Sequence, residues 1–305
     1  MSPLADPVFG AICANAEVAG LAMESIIRIT LEADNETLTG RVETVTPQQV
    51  HSSTRRRSCR VDIESNTNEN ERIITEVQMN PDSRIMIRNL FSSSHVFTES
   101  SDKGDTPSQM AVKLPRIIHI NFLGYNIRNN STNLIESFKI MYTNEPKETA
   151  ISNFSGYNIQ LPKVLEMKPD FSSNLYCWCY MLYTAHIEGK TVQEVVAMKP
   201  ELQDYAKKDA GFQQFCDRYN FVSADPKTRN EYVLWVNDLM REEGEKEWAW
   251  QEGKIEGIKE GIKEGSKQQA MFIAYNMLEM NMPVEVISKA TKLSLEEVEA
   301  LHKNE

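Results

Sequence analysis

Arg60-Val61-Asp62-Ile63-Glu64, followed after a short break by Ile73-Ile74-Thr75-Glu76-Val77-Gln78-Met79, is the stretch on which the reading of this chain turns. Aliphatic and polar residues alternate in both runs, with the period of a half-buried strand. In the first run Arg60, Asp62 and Glu64 share one face and Val61 and Ile63 the other; in the second, Glu76 and Gln78 lie opposite Val77 and Met79. Asn66-Thr67-Asn68-Glu69-Asn70 is a turn-rich break, so strands over 59–64 and 72–79 are predicted to pair as a hairpin. Pairing brings Asp62 beside Glu76, with Gln78 next to both. Two carboxylates converging on one face can hold Mg²⁺ or Mn²⁺, hard cations that prefer oxygen ligands. Such an ion polarises a phosphodiester and lowers the pKa of a bound water. The same alternation also describes a plain solvated hairpin, and spacing alone does not choose between the two.

Working outward, residues 8–33 carry apolar side chains at three- and four-residue intervals and predict one helix, and 41–45 predicts a strand. Asn80-Pro81-Asp82-Ser83 reads as the start of a helix over 84–97. Residues 100–111 are polar and read as a loop. Arg116-Ile117-Ile118-His119-Ile120-Asn121-Phe122-Leu123 has the near-continuous apolar character of a central strand, and further strands are expected at 135–142 and 157–161. Helical patterns then cover 174–188, 191–198, 200–220 and 227–250. The expected class is α/β, a mixed sheet core with a helical cap.

Among 305 residues, 33 Lys and Arg stand against 44 Asp and Glu, a net charge of −11. A uniformly acidic surface repels polyphosphate, so contact with DNA requires a local basic patch. Arg55-Arg56-Arg57 with Arg60 is the dense basic cluster, and it precedes the Asp62 strand directly. Arg88, on the helix after the hairpin, could face a phosphate or form a surface ion pair. Five cysteines in an odd, unframed pattern indicate reduced thiols and a cytoplasmic location, and Cys177-Trp178-Cys179 is too tightly spaced for a zinc or redox pair. The first residues lack a signal-peptide pattern, and no apolar run is long enough to cross a membrane. The five histidines are scattered without metal spacing, and His119 is expected in the core.

The order Asp-x(13)-Glu-x-Gln on consecutive strands resembles the catalytic core of the recombination-promoting nucleases, a transposase-like branch of the PD-(D/E)XK superfamily. Other parts agree in order along the chain: Asp6-Pro7-Val8-Phe9; Arg88 with Phe91, Ser92, Ser94 and Phe97; Pro115 to Leu123; Gln160-Leu161-Pro162-Lys163; and the Glu-Gly repeats of the tail. The resemblance implies a restriction-endonuclease-like core cutting DNA with Mg²⁺ or Mn²⁺. Asp62 and Glu76 would be the metal carboxylates, the Val77 carbonyl would complete the site, and Gln78 would stand where the superfamily has lysine. A lysine pairs electrostatically with an attacking hydroxide, whereas an amide only orients water, so slower turnover or stronger metal dependence is expected. The superfamily sometimes adds an acid from the first helix, for which Glu24 is the candidate. The rival reading is a catalytically idle DNA-binding or assembly protein that keeps the nuclease fold.

Gly253, Gly257, Gly261 and Gly265 recur every four residues, each preceded by Glu, with Lys259, Lys263 and Lys267 placed for helical ion pairs. Each glycine weakens a helix by about 1 kcal/mol relative to Ala, so the stripe implies either close approach of a second helix or a solvated linker. The first alternative predicts an oligomer, with a dimer the simplest form. Short helices follow at 268–281, 284–290 and 295–302, the last opened by Ser294-Leu295-Glu296-Glu297, a capping-box pattern. Their net acidity argues for protein contact over reading a DNA groove. The resulting partition is a nuclease-like core over 1–165, a helical subdomain over 166–250, a Glu-Gly linker helix over 251–266 and a small helical tail over 267–305.

Overall fold

The computed structural model describes residues 1–13, 20–47, 50–51, 59–60, 62–128, 130–145 and 148–302. They fall into two compact units, Met1–Trp235 and Val236–Glu305. The first unit opens with α1 (Asp6–Cys13) and α2 (Gly20–Glu32), then β1 (Val42–Pro47), β2 (Val50–His51), β3 (Cys59–Arg60), β4 (Ile63–Thr67), β5 (Glu71–Gln78) and α3 (Ile85–Glu99). There follow α4 (Pro107–Lys113), β6 (Arg116–Leu123), β7 (Ile135–Met141), β8 (Thr149–Gln160) and α5 (Lys163–Glu166). A helical run completes it: α6 (Asn174–Glu188), α7 (Val192–Ala197), α8 (Pro200–Lys208), α9 (Ala210–Ala224) and the start of α10 (Pro226–Glu279). The second unit holds the rest of α10, α11 (Val284–Thr291) and α12 (Leu295–His302).

Six strands form one mixed sheet in the order β1-β4-β5-β6-β8-β7, while β2 and β3 pair separately. The two pairs at the β1 edge and the β7·β8 pair are antiparallel; β5·β6 and β6·β8 are parallel. The hairpin is β4–β5, with Ile63 opposite Thr75 and Asn70 turning in the left-handed region at φ 55°; its first strand is Ile63–Thr67 and not the expected 59–64, since it runs on into the asparagine-rich stretch and Cys59–Arg60 pairs with β2 instead. Asparagine tolerates that region better than other side chains do.

The two faces of the sheet are unequal. On one, Ile63, Ile73, Val77, Ile118, Ile120, Phe122, Tyr157 and Ile159 join the main core with α1, α2, α6 and α9. Phe9 anchors α1 there between Phe122 and Phe215, with ring centroids 6.0 and 6.1 Å away. On the other face the apolar packing shrinks to Ile74 and Ile117 against Val96, with Phe97 at its margin. The remainder of that face mixes the buried polar side chains His119, Asn121 and Glu76 with Phe138, Phe154 and Leu123, and α3 packs over its polar part.

Several boundaries differ from expectation for identifiable reasons. The helix predicted over 8–33 is two helices, α1 and α2; residues 14–19 lie outside those described. The segment 200–220 is divided at Asp209, whose side chain accepts from the Phe212 N–H at 3.0 Å and caps α9. Within the predicted loop 100–111, Thr106 and Gln109 form a capping box and Pro107 starts α4. Strand β8 starts eight residues before the expected Tyr157, because its first half pairs with β7 through irregular register at an exposed edge where no apolar alternation marks it. The Glu-Gly segment is helical and lies within α10. No other atom comes within 4 Å of the Cβ positions that Gly253, Gly257, Gly261 and Gly265 would present. The capping box at Ser294 and Glu297 is present, and Ala274, Ile287, Leu293 and Val298 form the core of the second unit. Cys13, Cys177, Cys179 and Cys216 are buried free thiols. No helix among the described residues is long and apolar enough to cross a membrane.

Candidate active site

The antiparallel ladder between β4 and β5 ends at the pair Ile63 and Thr75, while β5 runs on to Gln78. Among the described residues, that leaves one edge of Glu76-Val77-Gln78 without a strand partner in the sheet. Asp62, the residue before β4, lies along it: its Oδ2 accepts from the Val77 N–H at 3.0 Å. The Gln78 carbonyl accepts from Gly124 N–H on the β6 side at 2.9 Å. Backbone groups alternate along a strand, so the Val77 carbonyl faces the opposite edge, together with its own N–H and Asp62.

Glu76 and Gln78 project from the polar face toward α3, where one arginine reaches both. Arg88 donates from Nη2 to Glu76 Oε2 at 3.2 Å and from Nη1 to Gln78 Oε1 at 3.0 Å. The same guanidinium lies 3.5 Å from Asp82 Oδ2. Asp82 also accepts from the Arg84 N–H at 2.9 Å, tying the entry of α3 to the end of the hairpin. Gln78 Nε2 donates to the Asn80 carbonyl at 3.0 Å, which fixes which end of the amide faces Arg88. Next to Glu76 in the parallel register stands Asn121, and beyond it Asn158; the two buried amides are joined by a 2.9 Å hydrogen bond.

Glu76 is 3% exposed, and its carboxyl is pushed up to about 7. Burial is the largest cause; Arg88 opposes it, while Asp62, Asp6 and Asp82 add to it. A buried carboxyl with three acids around it and one half-exposed arginine carries surplus negative potential. Two carboxylates and a main-chain carbonyl along one open edge are a donor set suited to a hard divalent cation that keeps several waters. Among the described residues no group of three or more His, Cys, Asp or Glu side chains is already drawn together as a metal site. Asp62, Glu76 and the Val77 carbonyl are the groups along this edge that could hold such a cation.

Asp62, Glu76, Gln78 and Arg88 are thus brought together. Glu24 is not: it accepts from Arg28 Nε at 3.0 Å and from the Val42 N–H at 3.1 Å, fastening α2 to β1. The acid from the first helix whose charge reaches Glu76 is Asp6. Its signal was the Asp6-Pro7-Val8-Phe9 start of α1, where fully buried Val8 and Phe9 fix the helix against the sheet. Arg55, Arg56 and Arg57 lie outside the described residues, and Arg60 belongs to β3, paired with Val50. His119 is a core residue: Nε2 lies 2.7 Å from Ser93 Oγ, and burial pushes its pKa down to about 3.

A family model described as PD-(D/E)XK nuclease family transposase matches residues 4–236. That span contains Asp6, Asp62, Glu76, Gln78 and Arg88 and the whole six-stranded sheet. No curated protein and no solved structure gives a match. The mixed sheet flanked by helices is the α/β arrangement of a PD-(D/E)XK nuclease-like fold. With about three quarters of its length matched, the chain belongs to the PD-(D/E)XK nuclease family transposases.

Proposed function

We infer that the chain is a metal-dependent DNA endonuclease. The observation that carries this reading is the convergence of Asp62 and Glu76 on an open strand edge, with the Glu76 carboxyl pushed up to about 7. A bound Mg²⁺ or Mn²⁺ supplies a water-derived nucleophile near neutral pH and offsets charge on the phosphate. Asp62 and Glu76 would hold it together with the Val77 carbonyl, and Asp6 adds negative potential from α1. Gln78, clamped between Asn80 and Arg88, offers an amide of fixed orientation for positioning water. Arg88, partly exposed beside the carboxylates, is placed to meet a phosphate once Glu76 is neutralised by a cation. Water attacks phosphorus, the P–O bond to the leaving strand breaks and that oxygen takes up a proton, with no covalent link to the protein. The DNA backbone would be met by the Arg55-Arg56-Arg57 cluster and Arg60, in the cytoplasm, in work connected with recombination, mobile elements or defence.

The second reading, an idle nuclease fold that binds DNA or assembles, draws on two observations. The arginine paired with Glu76 already stands where positive charge is needed, and glutamine replaces the customary lysine. Incubation of the full chain with supercoiled plasmid separates the two. Nicking with Mg²⁺ or Mn²⁺ that stops with EDTA supports the enzyme, and DNA binding without nicking under any metal supports the idle fold.

A further inference from the structure

The distal part of α10 carries an apolar seam that neither the nuclease reading nor the glycine repeat explains. Trp248, Ile255 and Ile262 recur every seven residues, and Gln251, Ile258 and Gly265 each follow three residues later. At about 100° per residue, the first three lie within about 40° of one another, and Ile258 flanks them. Trp248 is 67% exposed, Ile255 55%, Ile258 53% and Ile262 65%. Trp248, Gln251, Glu252, Ile255 and Lys259 line one shallow groove along the helix. A seven-residue repeat of large apolar side chains in water is the seam of a two-stranded coiled coil.

We propose that a second copy of this chain docks antiparallel on the Trp248–Ile255–Ile262 seam of α10. Charge decides the direction. In a parallel pair, Glu247 would face the partner's Glu252 and Lys254 the partner's Lys259, two like-charge contacts on each side. In the antiparallel pair, Glu252 lies beside the partner's Lys259 and Lys259 beside the partner's Glu252, so both edge contacts are attractive. Size agrees with charge. Centred between residues 256 and 257, this register sets Ile255 against the partner's Ile258 and Gln251 against the partner's Ile262. Trp248 then meets the partner's Gly265, where a bare backbone leaves room for the indole; nothing else lies within 4 Å of that position. One glycine of the repeat thus serves the contact as a socket, and the others lie off the seam. The contact spans about 26 Å of helix, so the dimer is a reversible, concentration-dependent one.

The test is sedimentation equilibrium of the full chain across about 1–100 μM, with circular dichroism confirming helix content. The expected result is a monomer–dimer equilibrium that Ile255→Glu abolishes. Glu252→Lys alone and Lys259→Glu alone should each weaken the dimer about tenfold, as two like-charge contacts appear, and the double variant should restore it. In a parallel pair either single swap would create attractive contacts and tighten the dimer. Tightening by a single swap, association undiminished in Ile255→Glu, or a monomer at every concentration would overturn the proposal.

Discussion

Burial favours the neutral form of Glu76, whereas the cation proposed for this edge would require its anion. Its folded pKa of about 7 lies above the ordinary 4.5, so between those values the folded chain binds a proton that the unfolded chain has released. The stabilising contribution is therefore complete below pH 4.5 and disappears as pH rises through 7. The difference is on the order of 3 kcal/mol. Glu76→Gln, which keeps an oxygen for Arg88 and cannot ionise, should raise the melting temperature of the metal-free protein at pH 8 and flatten its pH dependence. The same variant should lose DNA nicking. A melting temperature lower than wild type at pH 8 would contradict the charge argument. Asp62 has a different second duty, accepting from the Val77 N–H. Asp62→Ala should lose nicking and about 1–3 kcal/mol of stability, because that N–H is left without its acceptor. Asp62→Asn should lose nicking by more than about 100-fold with stability nearly intact, as thermal melts and plasmid assays would show.

At the scale of elements, what could be read from the sequence follows what burial imposes on it. Strands β5 and β6 were legible because both faces are covered, and the hairpin because alternation and asparagine turn chemistry agree. Asp62 lies just before β4 and meets β5 through the Val77 N–H, a contact that strand period does not give. The start of α3 was legible in Asn80-Pro81-Asp82. The acid of the first helix was not legible, because residues 14–19 part α1 from α2 and it is Asp6, at the start of α1, whose charge reaches Glu76. Arg88 was legible as a position but not as a clamp, since nothing in a sequence says that one guanidinium reaches Glu76, Gln78 and Asp82 together. Asp209 was missed because a capping aspartate between Lys208 and Ala210 looks like any exposed helix residue. It accepts from Ser25 Oγ, Tyr205 Oη and Phe212 N, so it joins α2, α8 and α9. Asp209→Ala should lower the melting temperature on the order of 5 °C by removing a cap, the bond from Ser25 and the local bond from Tyr205, without altering nicking at permissive temperature. An unchanged melt would mean that apolar packing in the main core holds α2, α8 and α9 together without Asp209.

At the scale of the whole molecule, a chain of net charge −11 that cuts DNA as proposed would have to approach the polyanion through a restricted surface. If Arg55, Arg56 and Arg57 form that surface, replacing all three by Ala should weaken DNA binding alike for every sequence. It should also reduce the slope of log affinity against log salt by about 2–3 units, near 0.9 for each phosphate no longer neutralised. An unchanged slope would move the DNA elsewhere, with α3 the next surface to test. The unequal faces of the sheet have a further consequence in time. Between α3 and the sheet lie Asn89, His119 and Asn121, each with a buried polar atom that has no hydrogen-bond partner among the described residues, while apolar packing there is confined to a few side chains. Local opening follows the weakest packing, so α3 should swing away from the sheet long before β5 and β6 come apart. Its amide protons would then trade with deuterium far faster than those of the two central strands, and the carboxylates beneath it would be uncovered in brief, recurring intervals.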